Sequence, residues 1–251
     1  LSRVWYIVLL SAIFALQCSA KDLLYYKDYS IYANDSLDMA IEKLSEEHNV
    51  TTASSIIDFE AHIGNNSYDL VILFLQDEPH DADEFSHFIS YVESGGKVIF
   101  TDANKKESWS RLFDFQYSDQ DNYNRALLVN RDLKNSYVDS ELVLYNPGYR
   151  TYSIGLKPQG RVLASYSGGA AMLWINEQTI INGILSDTML AEADARAATQ
   201  TNNIFLAQIN FLLSPPSSYI AEVPLLLGNI MPVMMLIAAL FYMSNRRRKG
   251  V

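Results

Sequence analysis

The stretch Tyr68-Asp69-Leu70-Val71-Ile72-Leu73-Phe74-Leu75 constrains the fold more than any other part of the chain. A strand with one wet face alternates apolar and polar residues. A short run that is apolar at every position reads as a strand covered on both faces, as in the parallel sheets of α/β proteins. The residues on its carboxyl side fit that reading. Asp81 to Glu93 is expected to be a helix turning Phe85, Phe88, Ile89 and Val92 inward, Gly95-Gly96 ends it, and Lys97-Val98-Ile99-Phe100 forms the next strand, ending at Thr101-Asp102. The residues on its amino side repeat the pattern. Leu23-Leu24-Tyr25-Tyr26 is β-prone, and Asn34-Asp35-Ser36 caps a helix carrying Leu37, Ala40, Ile41 and Leu44. Val50 to Ala53 is a second strand, leading to a short helix with Ile56, Ile57, Phe59 and Ile63. Strand and helix in alternation predict an α/β fold with a doubly wound, mostly parallel sheet.

The second half changes character. Leu127 to Val129, Leu142 to Tyr145, Tyr152 to Ile154, Arg161 to Ala164, Ala171 to Ile175 and Thr179 to Leu185 are short β-prone runs at hairpin spacing. Ser167-Gly168-Gly169 and Asn176-Glu177-Gln178 are natural turns between them. A last helix, about Ala195 to Leu213, presents Ile204, Phe205, Ile209 and Leu212 to a core. The expected domain is therefore flavodoxin-like in its first half and rich in β-hairpins in its second.

The two ends carry other signals. Arg3 precedes an uncharged apolar stretch from Val4 to Leu16, and the small residues Cys18 and Ala20 suit cleavage before Lys21, so residues 1–20 read as a secretory signal peptide. Lipidation of Cys18, the chain's single cysteine, is the alternative. Val223 to Asn245 is uncharged, long enough for the ~20 residues a bilayer core demands, and is followed by Arg246-Arg247-Arg248-Lys249. This predicts a single-pass transmembrane helix over 223–245 with a cytoplasmic basic tail at 246–251, a spacer at 214–222, and an extracytoplasmic domain at 21–213 whose neighbour is the lipid bilayer. Five of the 19 basic residues and one of the 29 acidic ones lie in these ends. The exposed domain is thus strongly acidic, which excludes nucleic acid as a partner.

The segments Tyr68 to Leu73, the helix with Phe85, Phe88 and Ile89, and Gly95-Gly96-Lys97-Val98-Ile99-Phe100-Thr101-Asp102 resemble the class I glutamine amidotransferase-like superfamily, which has membrane-anchored members that have lost catalysis. The resemblance implies an amidotransferase-like sheet and, in catalytic members, a cysteine on the tight turn after a strand with a histidine from a later strand. Here Thr101-Asp102-Ala103-Asn104 occupies that turn, and the four histidines, His48, His62, His80 and His87, all precede the second half. No hydroxyl nucleophile sits in a Gly-x-Ser-x-Gly elbow either. Val223-Pro224, the apolar span and the basic end also resemble PEP-CTERM sorting tails, although Leu225-Leu226 stands where that class has Glu-Pro.

Two groups of residues are candidates for a site. Asp77, Asp102, Asn104 and Asp187 are expected at strand carboxyl ends, where open α/β sheets bind ligands, or else as helix caps. On a continuous helix, at about 100° per residue, His80, Glu84 and His87 share one stripe that a metal ion could occupy, or they form a solvated helix face. The composition predicts no catalytic residue and no cofactor. The expected function is a non-catalytic, membrane-tethered binding or scaffold domain, a subunit of an envelope or luminal complex with a protein partner. The alternatives are a surface protein delivered by its sorting tail and a metal-dependent hydrolase using the His80 region.

Overall fold

The computed structural model describes residues 20–28, 36–120, 122–124, 126–138, 142–144, 151–185 and 195–214. The predicted signal peptide (all but Ala20), the spacer after Ser214, the membrane span, the basic tail and Asp187 lie outside them. Among the described residues no helix is long and apolar enough to cross a membrane.

The first half alternates as the hydropathy pattern requires. Strand β1 (Asp22–Lys27) leads to helix α1 (Ser36–Ser45), β2 (Asn49–Thr52), α2 (Ile56–Asn65) and β3 (Leu70–Leu75). After β3 come α3 (Ser86–Glu93), β4 (Val98–Asp102) and α4 (Glu107–Leu112). The second half supplies β5 (Asn122–Asn124), β6 (Ala126–Val129), β7 (Leu142–Leu144), β8 (Thr151–Ser153), β9 (Arg161–Tyr166), β10 (Gly169–Ile175) and β11 (Thr179–Asn182). Helix α5 (Ala195–Leu213) closes the domain.

Nine strands form one sheet in the order β2-β1-β3-β4-β11-β10-β9-β6-β7, with β5 and β8 in a separate pair. The sheet is mixed rather than mostly parallel. β2, β1, β3, β4 and β11 run parallel, and β11, β10, β9, β6 and β7 are antiparallel to their neighbours. The reason lies in the connections. The first-half strands are joined through helices, which allow parallel crossovers, whereas β9, β10 and β11 are joined by tight turns that reverse the chain. Asn176 and Glu177 between β10 and β11 take φ of 52° and 60°, the left-handed geometry that tight hairpins demand. β11 then does what no hairpin pattern announces: its free side pairs in parallel with β4, Ile180 opposite Ile99.

β3 is central to the parallel half, and each of its six residues is at most 1% exposed. Its odd and even positions serve two cores. Val71, Leu73 and Leu75 face a cluster with Phe59 of α2, Phe88 of α3 and Trp109 of α4. Phe74 instead meets Phe205 of α5 edge to face, with ring centroids 5.6 Å apart. Gly95 and Gly96 stop α3, as expected. Gly95 has a φ of 90°, and a Cβ on Gly96 would sit 2.2 Å from the Tyr91 ring, whose hydroxyl donates to the carbonyls of Tyr68 and Lys97.

The predicted helix from Asp81 to Glu93 is broken. Ala82–Glu84 is a 3₁₀ turn, and Phe85 interrupts it with φ −121° and ψ 59° before α3 begins. Phe85 is fully buried, with its ring 5.2 Å from Trp109 and 6.1 Å from Phe59. Burying that ring outweighs continuing the helix, because aromatic packing adds about 0.5–1.5 kcal/mol per pair to its area burial.

Candidate functional site

The strand order 2-1-3-4 reverses direction at β1, so a crevice opens at the carboxyl ends of β1 and β3. Asp28 comes directly after β1. Its carboxylate accepts backbone N–H bonds from Gln76 at 2.8 Å, Asp77 at 3.2 and 3.3 Å and Glu78 at 3.0 Å, holding the loop after β3. Burial raises the pKa of Asp28, and the three N–H donors oppose that rise. Asp77, expected as a ligand-binding carboxylate, contributes its N–H to this cradle.

Asp102 plays the matching part at the end of β4. One carboxylate oxygen accepts the Asn104 N–H at 3.0 Å. The other accepts the Lys106 N–H at 2.7 Å and the Tyr117 hydroxyl at 2.9 Å. The residue is 2% exposed, and burial raises its pKa against the pull of those donors. Asp102 therefore closes the turn before α4 through the backbone N–H groups of Asn104 and Lys106, while the N-cap position of α4 itself is Lys106, with no side-chain cap bond. A buried network locks the adjacent strands: Asn182 donates to Thr101 Oγ1 at 2.9 Å and accepts from Gln208 of α5 at 3.1 Å.

The expected stripe of His80, Glu84 and His87 is not formed on one helix, because the break at Phe85 destroys the phase that would align them. His80 and Glu84 do meet: His80 Nδ1 lies 3.2 Å from Glu84 Oε2, and its Nε2 lies 3.8 Å from Glu78 Oε2. His87 turns elsewhere, its ring 3.2 Å from where a Cβ on Gly64 of α2 would stand and its N–H donated to Glu60 at 2.7 Å. Among the described residues no group of three or more His, Cys, Asp or Glu side chains is arranged to hold a metal ion.

The loop carrying His80 is anchored to α4. The Trp109 indole N–H donates to the His80 carbonyl at 2.8 Å, and Asp81 accepts from Ser108 Oγ at 2.9 Å and Lys106 Nζ at 3.0 Å. The Lys106 bond, ahead of that from Ser108, holds the Asp81 carboxyl below its ordinary pKa. The Asp81 N–H does the same for Glu84.

These elements border an open groove of about 510 Å³ lined by Tyr26, Asp28, Ser55, Ile56, Ile57, Glu78, His80 and Glu84. Sequence reasoning reaches His80 and Glu84 but misses Asp28, Glu78 and Ile57 as site residues. The usable signal is position: Asp28 stands at the end of a predicted strand, just as Asp77 and Asp102 do.

The fold of the chain has counterparts among solved structures. It is similar to a ThuA-like protein from Parabacteroides merdae at 12% sequence identity, with a TM-score of 0.51 covering 78% of this chain and 91% of that one. It is also similar to a glutamine amidotransferase from Thermotoga maritima at 6% identity, with a TM-score of 0.52 covering 78% of this chain and 99% of that one. At these identities the likeness is one of fold, and the chain has an amidotransferase-like fold. No protein-family model and no curated protein sequence matches the chain.

Proposed function

We propose that the chain is a non-catalytic, membrane-tethered extracytoplasmic binding or scaffold domain, a subunit of an envelope or luminal complex. One observation carries the reading: the turn after β4, where catalytic amidotransferase-like domains need a nucleophile, is built around a structural carboxylate. Asp102 is committed to Asn104, Lys106 and Tyr117, and residues 103–106 of that turn, Ala-Asn-Lys-Lys, carry neither thiol nor hydroxyl. The later strand that would supply a base, β11, ends instead at Asn182, held by Thr101 and Gln208. The tether is argued from the uncharged Val223 to Asn245 span and its basic flank. Full-length protein in detergent, given glutamine and a panel of simple amides, esters and phosphate esters, is expected to leave all of them unchanged. Turnover that disappears in His80→Ala would overturn the reading in favour of a hydrolase. Val223-Pro224 at the start of the span favours a second reading, delivery to the cell surface by a processed tail. Intact mass of the native protein separates the two, since processing removes the basic end.

A further inference from the structure

We propose that the edge of the sheet formed by the amino ends of its parallel strands is the surface this domain turns toward a lipid bilayer, so that the strand carboxyl ends face away from it. The inference rests on the tethered reading above and gives the tethered domain a direction.

The first observation is where the chain leaves the domain after α5. This helix passes Ser36, at the start of α1 and so level with the strand carboxyl ends, where Asn202 donates to the Ser36 carbonyl at 3.5 Å. It finishes at the opposite edge. Phe211 packs edge to face on Trp174, beside the turn between β10 and β11, with ring centroids 4.8 Å apart. Lys97, the residue before β4, donates its ammonium to the Leu212 carbonyl at 2.7 Å. A cation suits the carbonyl end of a helix, and this one fixes Ser214, the last described residue, at the amino edge.

The other end of the domain lies on the same edge. Lys21 stands before β1; its carbonyl accepts the Asn49 N–H at 2.8 Å, and its ammonium pairs at 3.4 Å with Asp69, just before β3. Cys18 is separated from Lys21 by about 10 Å of extended chain. A lipid on Cys18, the alternative attachment, would therefore hold the same edge toward the bilayer.

Length makes the direction exclusive. The spacer at 214–222 reaches about 30 Å when fully extended, and Pro215-Pro216 keeps part of it stiff. A domain of this size is about 40 Å across. A tether that starts at the amino edge is too short to pass over the domain and bring the carboxyl ends to the bilayer. The edge itself is polar, with Asp22, Asn49 and Ser94 exposed. It lies against hydrated headgroups rather than in hydrocarbon, which would strip those side chains of water.

The test is fluorescence quenching by lipids that carry a nitroxide on the headgroup. The full chain with Cys18→Ser is reconstituted through its own span into phosphatidylcholine vesicles, with one bimane label per protein. Labels go on Ser67→Cys or Ser94→Cys, exposed on the amino edge, and on Glu78→Cys or Asp83→Cys, exposed in the loop at the carboxyl end of β3. The amino-edge labels are expected to be quenched about threefold or more over the carboxyl-end labels, given the tether and domain lengths. Flotation of the vesicles reports the tether separately. A chain that does not float overturns the tethered reading and the orientation with it. A chain that floats but is quenched equally at both edges, or more at the carboxyl ends, overturns the orientation alone.

Discussion

Asp28 and Asp102 do the same work at two places: each stands at the end of a parallel strand and spends its carboxylate on backbone N–H groups of a nearby loop. Burial raises both pKa values above the ordinary 3.8. Between that value and each raised one, the folded chain holds more protons than the unfolded chain. The stability these two groups contribute is therefore full at low pH and falls as pH rises through their folded values. Asp58, Asp69, Asp81 and Glu84 run the other way, since donors hold them below their ordinary values and their contribution is lost on acidification. Asp102→Asn turns an accepting oxygen into an NH₂ group and leaves a buried donor unpaired, for a loss of about 1–3 kcal/mol. That deficit should be largest near pH ~4 and narrow toward pH ~7 as the wild-type carboxyl ionises at a penalty the variant escapes. Urea unfolding of both proteins across this range checks it, and a deficit independent of pH would show that Asp102 titrates alike in folded and unfolded chains.

Among elements, β3 and the segment after it show where local pattern suffices and where it fails. Every residue of β3 is buried, so Val71→Asp places an unpaired charge between two covered faces. The penalty of several kcal/mol is comparable with the ~5–15 kcal/mol stability of a whole domain. Loss of the far-UV helical signal and of cooperative melting is the expected outcome; an unchanged melting temperature would remove β3 from the centre of the sheet. The helix after β3 is legible in its carboxyl end and its inward residues, Phe88 above all, but not in its break at Phe85. Periodicity describes a helix as if it were alone. Phe85 obeys the rings around it, and with the break goes the stripe that joined His80, Glu84 and His87. Glu60, whose two oxygens take the N–H groups of His87 and Phe88 at 2.7 and 3.0 Å, caps α3 from a different helix. No local capping rule reaches across 27 residues.

For the molecule as a whole, segment 21–213 holds 14 basic and 28 acidic residues, an excess that favours solubility of that segment. Under the proposed topology, deleting Val223 to Val251 is expected to release a folded domain into the soluble extracytoplasmic fraction, because that span is the long uncharged segment outside the proposed signal peptide. Fractionation with circular dichroism of the released protein checks this. A folded protein that stays with membranes would point to a second attachment, with a lipid on Cys18 as the first to test.

Neighbouring side chains alone account for the elements whose cause is local. The doubly covered strand β3, the Gly95-Gly96 stop and the hairpin turns at Ser167-Gly168 and Asn176-Glu177 each arise from a few adjacent residues. Helix α5 has the predicted bounds, Ala195–Leu213. Whatever depends on distant partners was set by the folded chain. Folding inserted β11 beside β4 as a fifth parallel strand, which no run of residues near Thr179 encodes, since pairing is chosen by the edge that β4 leaves open. It also assembled the groove, whose Tyr26, Ile57 and Glu78 come from β1, the first turn of α2 and the loop after β3. Each is ordinary alone, and they meet only because the crossovers on either side of β1 run in opposite directions.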